Sequence, residues 1–124
     1  MRRALGLWQC AVLGLGVLVG SAVIAADAST VSRFVSLSDR FQSQLARPAT
    51  RGLSAAQKRA RAVCILTQFE TEYGQTGVRA LMDLMSVLSR NPEFDDPTVV
   101  AFNERYGGTY GAAVAGCTRS ARGS

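Results

Sequence analysis

Histidine is absent from this 124-residue sequence. That removes the usual general base, the Ser–His and Cys–His nucleophile pairs and the commonest metal ligand. Lysine occurs once, at Lys58, against thirteen arginines. Cysteine is scarce, with Cys10, Cys64 and Cys117 making three. Strict apolar–polar alternation is missing, so strands are not expected. No internal repeat or low-complexity tract occurs. No acidic run has the spacing of an EF-hand, and Gly107-Gly108 lacks the Lys-Ser/Thr that completes a phosphate-cradling loop.

Carboxylate chemistry is the remaining route to hydrolysis, and the spacing argues against it. Glu70 and Glu72 fall about 200° apart on a helix and cannot share one substrate. Asp95 and Asp96 read as capping residues rather than an acid and base. The chain therefore reads as non-catalytic, with no metal site. Met82, Met85, Tyr73, Tyr106 and Tyr110 could line a pocket, or ligate haem, but read better as core, so no cofactor is expected.

The N-terminus carries a distinct signal. Met1-Arg2-Arg3 is positively charged, and no charged residue follows from Ala4 to Ala26. Small residues then cluster at Ser21, Ala22, Ala25, Ala26 and Ala28. A basic start, an apolar middle and a small-residue exit define a secretory signal peptide, read as residues 1–26. The competing reading is an uncleaved anchor in the inner membrane, since a span needs about 20 apolar residues. Export predicts a periplasmic or secreted protein. Abundant Ala and Arg with a single Lys suggest a bacterium of high genomic GC content.

Removing residues 1–26 leaves two cysteines. An even pair in an oxidising compartment predicts a Cys64–Cys117 disulfide. It also lowers the formal net charge from +5 to about +3.

Helical spacing recurs through the remainder. Val31, Phe34, Phe41 and Leu45 share one side of a first helix. Ser54 and Gln57 form a capping-box pattern for a second, ending near Tyr73. Val78, Leu81, Met82, Met85 and Leu88 stripe a third, which stops at Asn91-Pro92. Asp96-Pro97 opens a fourth, and Gly107-Gly108 is expected to break it before a short fifth begins at Thr109. The expected fold is all-α: a small bundle of four or five helices over residues 27–118, stapled by one disulfide, with a flexible tail at 119–124. Ala62, Leu66, Phe69 and Tyr73 lie on one face of the second helix. Ala60, Cys64, Thr67 and Thr71 lie opposite, predicting burial on both sides. The last helix should pack on the small-residue side.

Charge is segregated along the chain. Residues 27–62 hold seven basic residues against two acidic, and residues 63–104 hold two against seven. Arg47, Arg51, Lys58 and Arg61 are the candidate partner surface on the basic side. Glu93, Asp95 and Glu104 are the acidic counterparts. No aromatic residue interleaves the basic run for base stacking, so nucleic acid is not an expected partner. Membrane contact is expected only during export, or weakly through the basic end. The expected function is a small exported protein-binding module, such as an inhibitor, immunity protein or accessory subunit, whose partner is another exported or envelope protein. The alternative is a carrier or sensor of a small apolar ligand held in the bundle.

Overall fold

The computed structural model describes residues 27–123. The signal peptide expected at 1–26, with Cys10, lies outside them. Three helices follow in order: α1 (Ala28–Gln42), α2 (Ala55–Arg90) and α3 (Pro97–Arg122). The described residues contain no strand. The fold is all-helical, with three helices rather than four or five.

Each start follows from a local signal. Asp27 caps α1, its carboxylate accepting from the Thr30 amide. Ser54 and Gln57 complete both halves of a capping box on α2. Asp96 caps α3 from the position before Pro97. Each cap satisfies an amide that the helix itself leaves unpaired, typically worth about 1 kcal/mol.

The count differs from expectation at two glycine sites, in opposite ways. Gly74 does interrupt α2, with φ 68° and ψ −159°, a region essentially reserved for glycine. The interruption bends the helix back. Lys58 meets Asp39 and Ser89 meets Gln44, although Lys58 and Ser89 would stand about 46 Å apart in a straight helix. Both arms of α2 therefore flank α1. Gly77 supports the bend, since a Cβ there would overlap Tyr73. Gly107-Gly108, by contrast, does not break α3. Contacts on both sides of the pair hold the helix through it: Tyr106 packs on Phe69 and Tyr73, and the Thr109 and Tyr73 hydroxyls lie 2.7 Å apart. The helix then continues past residue 118 to Arg122, where the tail was expected. Ala121 is buried, and Arg122 donates to the Ala49 and Arg51 carbonyls.

The core lies between the two arms of α2, with α1 and α3 packed on them. Val31, Phe34, Leu37 and Phe41 supply α1's side. Ala62, Ile65, Leu66 and Phe69 supply the first arm of α2, and Val78, Leu81, Met82, Met85 and Leu88 the second. Phe69 is the hub, its ring 5.6–6.5 Å from those of Tyr73, Phe102, Tyr106 and Tyr110. Burying such a ring stabilises the fold by about 1.5–3 kcal/mol. The expected two-sided burial of the second helix is corrected here. Ala60 and Thr71 are exposed and Cys64 and Thr67 are half-buried, so α3 reaches the small-residue side at Cys64, through the disulfide, without covering it.

Cys64 and Cys117 form a disulfide at a Cα–Cα distance of 5.7 Å, joining α3 to the first arm of α2. The Gln68 amide donates to both sulfurs. In the chain-entropy account, a closed loop of this length stabilises the fold by about 4 kcal/mol.

Candidate functional site: basic clefts beside Lys58 and Asp39

The site starts from a charge arrangement at a helix end. The first turn of α2 holds no acidic residue, so the positive end of its dipole is left without a compensating side chain of its own. Lys58 and Arg59 follow at once. Asp39, in the last turn of α1, supplies the missing carboxylate: Lys58 Nζ lies 3.2 Å from Asp39 Oδ1. The side chains are 30 % and 45 % exposed. At such exposure the pair contributes only about 0.2–1 kcal/mol, since water competes for both partners.

Two open clefts adjoin across this pair. One, of about 490 Å³, is lined by Ser32, Val35, Ser36, Asp39, Ala55, Lys58 and Arg59. The other, of about 390 Å³, carries Gln42, Ser43, Thr50 and Arg51 besides Asp39 and Lys58. Among the described residues Asp39 is the one carboxylate lining either, against Arg51, Lys58 and Arg59. The loop carrying Arg51 is anchored from α1 and from α3. Gln42 Oε1 accepts from the Ala49 amide at 2.6 Å, and Arg122 holds the Ala49 and Arg51 carbonyls at 2.6 and 3.0 Å. Chemically, the clefts present cationic and hydroxyl donors suited to carboxylate or phosphate oxygens.

The expected surface residues divide. Arg51 and Lys58 come together in one cleft. Arg47 is exposed in the same loop. Arg61 leaves the set, being only 4 % exposed. Its Nε donates to Thr118 Oγ1 at 2.7 Å and its Nη1 to Ser38 Oγ at 3.3 Å. Among the described residues no carboxylate lies within 4.0 Å of it. Burial lowers its pKa from the ordinary arginine value, which still leaves the guanidinium charged at neutral pH. Arg61 is a cation inside the fold rather than on its surface.

The acidic candidates lie elsewhere. Glu93 and Asp95 flank Phe94, which is 59 % exposed and meets the Phe41 ring edge-on. Glu104 is exposed on α3. None of the three lines the clefts beside Lys58. A further open cleft, of about 470 Å³, separates the second arm of α2 from the start of α3, with Asp83 and Arg105 among its walls.

Asp39 and Arg59 line the clefts and Arg122 holds the loop beside them, and none of the three is among the expected surface residues. Arg59 was signalled by its neighbour Lys58. Asp39 and Arg122 carry no local signal, because only the fold brings them to residues 49–58. The Met and Tyr side chains considered for a ligand pocket pack on one another: Tyr110 reaches Met85, and Tyr73 lies against Phe69 and Tyr106. Among the described residues, no group of three or more Cys, Asp or Glu side chains could hold a metal ion, and no helix is long and apolar enough to cross a membrane. No family model, curated protein or solved structure matches this chain.

Proposed function

We propose that this chain is an exported, non-catalytic protein-binding module of the periplasm or extracellular space, which acts by occluding an anionic surface of another exported or envelope protein. The observation that carries the reading is the pair of clefts in which Arg51, Lys58 and Arg59 face a single carboxylate, Asp39. The disulfide supports it by fixing α3, and with it Arg122 and the loop bearing Arg51, before a partner arrives. A site ordered in advance loses less freedom on binding. The secretory pattern of residues 1–26 supports the compartment.

A synthetic peptide of alternating Glu and Ser, titrated by calorimetry, tests the reading. Binding is expected at low salt and should weaken as salt shortens the screening length to about 8 Å at physiological ionic strength. Arg51→Glu with Arg59→Glu should weaken it on the order of tenfold or more. Glu93→Gln with Asp95→Asn should leave it within about twofold, since neither residue lines the clefts. Equal losses in both double variants, or no binding to the unaltered protein, would overturn the proposal.

A further inference from the structure

We infer that Asp39 is a built-in competitor for the partner: an acidic segment of the bound protein lies across both clefts, and one of its carboxylates replaces Asp39 against Lys58. This rests on the reading of the clefts as the partner surface and adds how that surface is governed. Three observations carry it. The Lys58–Asp39 pair lines both clefts. An extended acidic chain that reaches both Arg59 and Arg51 therefore runs beside that pair. Among the described residues Asp39 is the only carboxylate lining the two clefts, so it is the group a negative ligand meets with repulsion. The pair is partly exposed on both sides, hence weak enough to exchange one carboxylate for another.

The chemistry of the path favours a polypeptide. Arg51 and Arg59 are exposed and Lys58 is half-buried, and the hydroxyls of Ser32, Ser36 and Thr50 line the same clefts, which suits alternating acidic and polar side chains. The large exposed apolar residues, Phe94 and Val100, line neither cleft, so the path offers no apolar anchor of the kind that seats a protein on lipid.

The test compares Asp39→Asn and Lys58→Gln with the unaltered full domain, using the Glu–Ser peptide and, separately, phosphatidylglycerol vesicles. Removing the competitor should raise peptide affinity roughly two- to fivefold at low salt, while Lys58→Gln should lower it by a similar factor. Thermal melts of both variants are expected near that of the parent, since both side chains are partly exposed. Asp39→Asn that leaves affinity unchanged or lower overturns the competitor role. If Arg51→Glu with Arg59→Glu still abolishes binding in that case, the broader reading stands; if it does not, both fall. Binding to vesicles without binding to the peptide overturns the polypeptide as occupant.

Discussion

Arg61 Nε donates to Thr118 Oγ1 at 2.7 Å, while the same guanidinium reaches Ser38. One buried cation thereby links all three helices. The cost of burying a guanidinium with no carboxylate in direct contact is several kcal/mol, offset by the more distant Asp39 charge and by charge-assisted hydrogen bonds of about 1.5–3 kcal/mol each. The balance gives an ordering of variants. Thr118→Val, which keeps the charge but removes an acceptor, should cost about 1–3 kcal/mol. Arg61→Met, which removes the charge and retains much of the volume, should cost less. Urea denaturation of the two variants decides the order, and a larger loss for Arg61→Met contradicts this account of the charge.

Alanine at different glycines should act with opposite signs. Gly74→Ala places a side chain at φ 68° and should destabilise by about 1–3 kcal/mol. Gly77→Ala overlaps Tyr73 and should destabilise as well. At Gly108 and Gly111, a Cβ meets nothing within 4 Å, so alanine should stabilise by up to about 1 kcal/mol through helix propensity. Thermal melts read all four, and stabilisation at Gly74 would contradict the bend.

These same positions mark what could be read in advance. The caps at Ser54 and Asp96, the stripe from Val78 to Leu88 and the Cys64–Cys117 pairing were legible because each depends on spacing or on a small count. The fate of Gly107-Gly108 was not. A glycine pair weakens a helix locally, and only the rings of Phe69, Tyr73 and Tyr106, brought together by the fold, decide that this one continues. Of the candidate site, Arg51 and Lys58 were legible from charge. Arg61 was assigned to the surface by residue type alone. Its spacing to Ile65 and Phe69, four and eight residues on, placed it on the buried face and was the available signal. Asp39 entered only through tertiary contact.

Cys64→Ala with Cys117→Ala should lose about 4 kcal/mol. Denaturant melts of the parent with and without a thiol reductant should reproduce the difference. An unchanged midpoint under both treatments contradicts the staple's contribution.

Stability should also fall in alkali through Tyr110. Burial raises its pKa above the ordinary value of 10.0, with the Arg61 charge opposing the shift. The folded state therefore holds the phenolic proton after the unfolded chain has released it. The contribution is complete below about pH 10 and declines as pH rises from there towards the folded value. Tyr110→Phe should flatten that decline, measured as urea midpoints between pH 8 and 11. A steeper decline in the variant contradicts the assignment.

The central claim is that an anionic partner engages the clefts beside Lys58. An amide chemical-shift map on titration with the Glu–Ser peptide tests it most directly. The account predicts shifts confined to residues 32–43 and 50–59, saturating together and reversed by salt. Shifts centred instead on Glu93, Phe94 and Glu104, or on the cleft between Asp83 and Arg105, would contradict it.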